Sequence, residues 1–285
     1  MQCAWQNIIE LLPLWMRNEV NIYKSEIVQE IRLRINAPPM IITPGRTLCL
    51  QRTVTLEDLQ FCVNLASKYS PWSVQTNSQC YITVPGGHRM GLCGSVIVKD
   101  KLITGLRHIT SICIRIARDF CGISGDAYIT TGSILIIGKP GSGKTTLLRD
   151  LVRRKSNNNN GFISVIDERQ EIFPITSYGK YSFEIGRNTD ILSGCSKSQG
   201  IEIALRNMGP SIIAVDEITA SEDCDALIHA GWCGVDLFAT AHAACKEDLY
   251  KRPIYRRILE SNLFEHLIVI GVDKSWHIER IGNDT

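Results

Sequence analysis

The second half of the chain alternates short apolar runs with polar punctuation. Ile134 to Ile137, Phe162 to Ile166, Ser211 to Val215 and Val235 to Ala239 are strand-sized and rich in β-branched residues, so they predict strands buried inside a domain. After the first run, Leu147, Leu148, Leu151 and Val152 recur on one face of a helix that Arg153, Arg154 and Lys155 close. Ser156 to Gly161 reads as a solvated connection, and 175–200 as a polar, glycine-rich stretch. Helices are predicted over 201–208 and 220–230, and LIVIGVD and WHIERIG form a closing strand pair that turns at Asp273-Lys274. Strands alternating with helices predict an α/β domain.

The first half has a different rhythm. Residues 3–20 carry Trp5, Ile8, Ile9, Leu11, Leu12, Leu14 and Trp15, split by Pro13, the pattern of one or two short amphipathic helices. Ile31, Leu33 and Ile35 alternate with Arg32 and Arg34 as in a half-buried strand; Ala37-Pro38-Pro39 ends it, and MIIT resumes before the Pro44-Gly45 turn. Thr55 suits the N-cap of a helix over 56–69. A strand pattern returns over 80–98 around the Pro85-Gly86-Gly87 turn, with His88 and Arg89 just beyond it. Over 105–118, Ile112, Ile114 and Ile116 alternate with Cys113 and Arg115, so the arginine leaves on the face opposite the core. These elements predict a small α+β domain over 1–120 and a second domain over 121–285.

Composition narrows the function classes. A net charge of +2, with 44% hydrophobic and 21% charged residues, is that of a globular protein and makes no independent case for nucleic acid or an anionic membrane. The apolar runs fall far short of the ~20 residues of a membrane span. The 11 cysteines are scattered without a CxxC pair, and charged residues from Glu10 to Glu30 interrupt the first thirty positions. Reduced thiols in a cytoplasmic protein without a signal segment are expected.

The run Ile134–Ile137 leads into Gly138-Lys139-Pro140-Gly141-Ser142-Gly143-Lys144-Thr145, followed by Thr146 and the amphipathic helix. This is a full GxxxxGKT phosphate-binding loop in its strand–loop–helix context. Glycines let backbone N–H groups turn toward phosphates, and the helix N-terminus adds favourable partial charge. Lys144 suits the β,γ-phosphates, and the Thr145 hydroxyl suits Mg²⁺. The competing explanation is a glycine-rich surface turn. Asp216-Glu217 follows an apolar strand, as the companion acids of such a loop do: Asp216 for the metal shell and Glu217 to polarise water, or else acids that only cap a helix. The acidic turn Asp167-Glu168-Arg169-Gln170-Glu171 ends another strand and suits a functional role beside the loop better than a solvated turn, and His242 emerges from a fourth, where it either senses a γ-phosphate or is a structural histidine. Arg115 suits a phosphate as a planar, permanent cation, or an ion pair with an acid of its own domain. Arg118 suits the outer phosphate or the domain junction. Lys251, Arg252, Arg256 and Arg257 form a basic helical face that suits solvent or an interface better than nucleic acid.

EIRLR at 30–34, GGHRMGLCG at 86–94, ICIRIAR at 112–118, GKPGSGKTTLLRD at 138–150, VIDERQEI at 165–172, GCSKSQGIEIALRNMGPSIIAVDEI at 194–218 and ATAH at 239–242 together resemble the stage III sporulation protein AA family of endospore-forming bacteria. That family looks like the hexameric ATPases of type II and type IV secretion and of pilus motors. The resemblance implies a RecA-like P-loop core under a smaller N-terminal domain, with ATP and Mg²⁺ as cofactors. It puts Glu168 on the acidic box, Asp216-Glu217 on the second nucleotide motif, His242 on the histidine box, and Arg115 and Arg118 on the arginine strand. Secretion motors commonly have glycine before the catalytic acid, where this chain has Asp216. The resemblance further implies a homo-oligomer, a hexamer, acting in the mother cell on membrane proteins of a channel complex to the forespore. The alternatives are a nucleic-acid-stimulated RecA-like translocase and a non-catalytic scaffold that uses ATP for assembly. The loop contacts are common to ATP and GTP and do not choose between them.

Overall fold

The alternating pattern of the first half forms one sheet, and the continuous runs of the second half form another. The computed structural model describes residues 3–25, 28–69, 80–158, 161–175 and 181–281. They belong to two units, Met1–Asp119 with Pro174–Phe183, and Phe120–Phe173 with Glu184–Thr285.

In the first unit, helices α1 (Trp5–Leu11), α2 (Leu14–Asn21) and α3 (Leu56–Ala66) accompany β1 (Glu30–Arg34), β2 (Met40–Thr43), β3 (Arg46–Cys49), β4 (Tyr81–Val84), β5 (His88–Lys99) and β6 (Leu102–Arg115). Pro13 separates two helices rather than bending one, since it has no N–H to continue the first ladder and sits as the extended N-cap of α2. Thr55 caps α3 reciprocally with Asp58, each side chain accepting the other's backbone N–H. That helix ends at Ala66, short of the predicted residue 69, because Lys68 and Tyr69 turn left-handed at φ 55° and 59°. The strands pair antiparallel in the order β3-β2-β1-β6-β5-β4. Ile31, Leu33, Ile41, Met90, Ile112 and Ile114 bury one face of this sheet in a core shared with Ile8, Leu12, Met16 and Leu59. Arg32, Arg34 and Arg115 are exposed at the alternate positions.

The second unit comprises β7 (Ile134–Gly138), α4 (Lys144–Asn158), β8 (Ile163–Asp167), β9 (Thr189–Ser193), α5 (Lys197–Asn207), β10 (Ile212–Val215), α6 (Ser221–Trp232), β11 (Asp236–Ala241), α7 (Lys246–Tyr250), α8 (Pro253–Glu260), β12 (His266–Ile270) and β13 (Trp276–Arg280). Its sheet runs β13-β12-β7-β11-β10-β8-β9, parallel except for the antiparallel edge pair β12–β13. The residues of β7, β8 and β10 are all buried, which is why their sequences read as unbroken apolar runs.

Three local expectations are corrected. Helix α5 starts at Lys197 rather than 201, because the Ser196 hydroxyl accepts the Gln199 N–H and supplies its cap. Strand β9 lies inside the stretch expected to be polar loop. As an edge strand it is mostly half-buried, so it lacks an apolar signature. Ser156 is not solvated: it is buried within α4, and its hydroxyl accepts the Asn188 N–H at 2.8 Å. Asn159 and Asn160 of that connection, and 176–180 of the polar stretch, lie outside the described residues.

Candidate functional site

Parallel register sets the site. Ile137 of β7 pairs with Ala241 of β11, Val215 of β10 pairs with Ala239, and Val215 also pairs with Ile166 of β8. The residues that follow each strand therefore meet along one edge of the sheet: the 138–145 loop, Asp167, Asp216 and His242. This carboxyl edge is where open parallel sheets bind ligands.

The loop is built for close approach. A Cβ at Gly138 would lie 2.4 Å from Ser142 Oγ, and Gly143 holds φ +105°, which L side chains rarely adopt. Ser142 Oγ is buried without a hydrogen-bond partner. Lys144 opens α4, and its ammonium donates to Gly138 O at 3.1 Å, Lys139 O at 3.3 Å and His242 Nδ1 at 2.9 Å. Burial lowers its pKa, and the charges of Asp216 and Glu217 act in the opposite sense.

A second set of contacts joins the acids to the loop. Thr145 Oγ1 donates to Asp216 Oδ2 at 2.6 Å, and Thr240 Oγ1 donates to Asp216 Oδ1 at 2.5 Å. Thr240 Oγ1 also accepts the Glu217 N–H at 2.8 Å. Because Lys144 occupies Nδ1 of His242, the ring proton belongs on Nε2, which donates to Glu217 Oε1 at 2.9 Å. The chain Lys144–His242–Glu217 thus runs unbroken from the phosphate loop to the second acid. Glu217 sits at φ +49°, a conformation that costs a non-glycine residue about 1–3 kcal/mol and clusters at functional sites. Tyr255 OH supports the turn by donating to Ile218 O at 3.2 Å and accepting the His242 N–H at 3.3 Å.

The acidic turn divides its labour. Asp167 is spent on structure: its carboxylate accepts the N–H groups of Glu171, Ile172 and Phe173 at 2.8, 3.1 and 2.8 Å. Burial raises its pKa despite those bonds, with the Asp216 charge adding to the rise. Asp167, Glu168 and Arg169 line a small cleft with Asp216 and Glu217. Arg169 Nη1 lies 3.6 Å from Glu217 Oε2, and Glu168 Oε2 accepts from buried Lys197 Nζ at 2.7 Å. Lys197 also lies 3.8 Å from Asp223.

Arg115 and Arg118 belong to the first unit. Arg115 ends β6 and forms the ion pair expected as one alternative, Nε to Glu30 Oε1 at 3.5 Å, with its side chain 66% exposed. Arg118 Nε is buried without a hydrogen-bond partner, and burial lowers its pKa. His88, in the same unit, is fully buried between Ala4 O and the Ala117 N–H, with its pKa lowered to about 4 by burial, so it serves the fold as a neutral ring.

Sequence reasoning missed Thr240, Lys197, Arg169 and Tyr255 as participants. Thr240 had a signal, lying two residues before His242 on a buried strand; a lysine in a polar stretch had none. The donor set fits Mg²⁺: a hydroxyl and a carboxylate in mutual contact are hard oxygen ligands.

The fold is that of a RecA-like α/β core with a smaller domain. The Legionella pneumophila ATPase DotB superposes with a TM-score of 0.61 at 17% identity, covering 94% of this chain and 80% of that one. The pilus retraction motor PilT, crystallised with ADP, superposes with 0.62 at 14% identity over 94% and 83% of the two chains. Stage III sporulation protein AA of Bacillus subtilis is 36% identical over 277 residues, 93% of this chain and 90% of that protein. The family model for sporulation stage III, protein AA matches residues 4–283. With nearly its whole length matched, the chain belongs to the sporulation stage III, protein AA family.

Proposed function

We propose that this protein is a Mg²⁺-dependent ATPase that works as a hexamer in the mother-cell cytoplasm, on membrane proteins of a sporulation channel complex. The observation that carries the catalytic part is the single hydrogen-bonded network joining Lys144, His242, Glu217, Thr240, Asp216 and Thr145. A scaffold that never hydrolyses nucleotide has no use for an acid coupled through a histidine to its phosphate loop. Family membership supports the sporulation role. The likeness in fold to DotB, an ATPase, and to PilT, a motor seen with ADP, supports the reaction, and the hexamer rests on the family's resemblance to the hexameric secretion ATPases.

In this reading the backbone of Gly141 to Thr146 cradles the phosphates of ATP. Lys144, whose ammonium has three protein acceptors here, exchanges at least one for a phosphate oxygen. Loss of its bond to His242 Nδ1 reports phosphate arrival to Glu217 through the imidazole. Glu217, held at one carboxylate oxygen by His242, orients the attacking water with the other. Thr145 and Asp216 would hold Mg²⁺, which neutralises charge on the phosphates. Arg115 and Arg118 bring further positive charge to the nucleotide from the N-terminal domain of the same or a neighbouring subunit. Among the described residues no helix is long and apolar enough to cross a membrane.

Nothing in the site favours a nucleic-acid translocase. Lys251 pairs with Asp248, Arg257 with Asp225, and Arg256 donates to Tyr250 O, so both signs of charge are interspersed on this exposed face and it is no uniform basic tract. The test is direct. Lys144→Ala removes the charge meant for the β,γ-phosphates and is expected to abolish tight ATP binding, measured calorimetrically on the purified protein. Unchanged ATP affinity would place the nucleotide elsewhere.

A further inference from the structure

The phosphate-loop reading seats the phosphates but leaves the base of the nucleotide unassigned, and the second unit has a cavity beside the loop. It has a volume of about 600 Å³, within the range of small-molecule pockets. Ser142, Gly143 and Thr146 form its phosphate-loop side, and Phe120, Ile123, Ile270 and Trp276 supply apolar walls.

These walls are pinned from outside the cavity. The Asp150 carboxylate of α4 accepts the N–H groups of Gly122 and Ser124, both at 2.8 Å, which ties the segment carrying Phe120 and Ile123 to the helix that follows the loop. Trp276 Nε1 donates to Ile123 O at 2.9 Å, and its ring lies so close to Gly125 that a Cβ there would sit 3.3 Å from Cζ2. The indole is thus fixed in place with its polar atom satisfied, and its ring is half-buried at the cavity. A large aromatic held rigid beside a phosphate cradle is a platform for a flat, apolar-faced partner.

We propose that this cavity is a purine-base slot in which Trp276 is the principal stacking surface, and that it accepts adenine and guanine with little discrimination. The proposal rests on the phosphate-loop reading of the same site. Weak discrimination follows from the lining. Selecting guanine takes a committed acceptor for its ring and exocyclic N–H groups, and a buried polar group left unpaired is what rejects the wrong base. Among the described residues no carboxylate lines the cavity. The polar groups of the lining serve either base: the Ser142 and Thr146 hydroxyls can donate or accept, the Ser275 hydroxyl, donating to Asp273 at 2.7 Å, can still accept, and the carbonyls of Ile123 and Phe120, which accept from Trp276 and from Arg153 at 3.3 Å, each keep a second lone pair. Lys274, the charged residue at the rim, can donate to acceptors on either purine.

Affinities for ATP, GTP and inorganic tripolyphosphate, measured by titration of the full chain with Mg²⁺, separate base from phosphate binding. ATP and GTP are expected to bind the native protein within about 10-fold of each other. Trp276→Ala should weaken both by about 10-fold or more, as for loss of one base–aromatic stack. It should leave tripolyphosphate within about 2-fold, and Trp276→Phe should recover most of the nucleotide affinity. The proposal is overturned if Trp276→Ala keeps ATP affinity, if tripolyphosphate binding falls in step with ATP, or if Trp276→Phe loses as much as Trp276→Ala. A native preference for one purine of 100-fold or more would overturn the absence of discrimination. If Lys144→Ala alters neither tripolyphosphate nor ATP binding, the phosphate loop is misread and the slot falls with it, a failure distinct from one confined to the nucleosides.

Discussion

Thr240 is a small side chain that touches both acids: its hydroxyl donates to Asp216 and accepts the Glu217 N–H. Val is close in volume but lacks the hydroxyl, so Thr240→Val leaves the Glu217 N–H without that acceptor in a residue already held at φ +49°. Denaturant unfolding is expected to show a loss of about 1–3 kcal/mol, the cost of an unsatisfied buried donor, and ATP hydrolysis should fall with it. Stability equal to that of the native protein would mean that the hydroxyl does not hold the turn. Glu217→Gln asks a different question at the same place. Glutamine can still accept the His242 proton, so binding of ATP should be near normal, while hydrolysis drops at least ~100-fold for want of the carboxylate. Hydrolysis at the native rate would shift the catalytic role to another acid, with Glu168 first in line because it lines the same cleft.

Helix α4 shows how an element can be legible on one side and opaque on the other. Its apolar stripe, Leu147, Leu148, Leu151 and Val152, is buried as the spacing predicts. Yet Arg149, Asp150, Arg153 and Lys155 are also buried, each satisfied by residues far along the chain: Arg149 by the carbonyls of Glu171 and Ile172, Lys155 by Thr130 O at 2.8 Å. A charged residue reads as solvated in sequence because its burial depends on partners that only the fold supplies. The same limit hid Lys197. The phosphate loop, the acid pair and His242 were legible because their chemistry demands fixed residue types at strand ends. Their partners Thr240, Arg169 and Lys197 were not, since a hydroxyl or a cation does many jobs. Lys197→Met tests the helix α5 contribution. It removes the cation from buried Asp223, which keeps the N–H groups of Thr219 and Ala220, and from Glu168, which stays partly solvated. The expected loss is about 1–3 kcal/mol, below the ~3–5 kcal/mol of breaking a fully buried pair. Hydrolysis should fall further than ATP affinity if Glu168 needs this anchor; equal losses in both would confine Lys197 to stability.

At the scale of the whole molecule, the proposed chemistry draws on two units of one chain, with the phosphate loop, acids and His242 in the second and the arginine strand in the first. Arg115 projects from the face of its sheet opposite the buried Ile112 and Ile114, and its contact with Glu30 is long and largely exposed. A pair of that kind contributes about 0–1 kcal/mol, too little to commit the guanidinium against a phosphate. Arg115→Ala is therefore expected to leave folding intact and ATP binding within a few-fold, while hydrolysis falls ~10³-fold, as when an arginine finger is lost. Whether the arginine serves its own nucleotide or a neighbour's is answered by mixing Arg115→Ala with Glu217→Gln protein under conditions in which size analysis shows co-assembly. Each variant alone should be nearly inactive. In a mixed oligomer, a subunit that retains Glu217 can border one that retains Arg115, and such a junction is complete only if the arginine acts across it. Partial recovery of ATPase activity would assign the arginine to the neighbouring subunit. No recovery in verified mixed oligomers would assign it to its own chain, and native hydrolysis by Arg115→Ala alone would return Arg115 to its ion pair with Glu30.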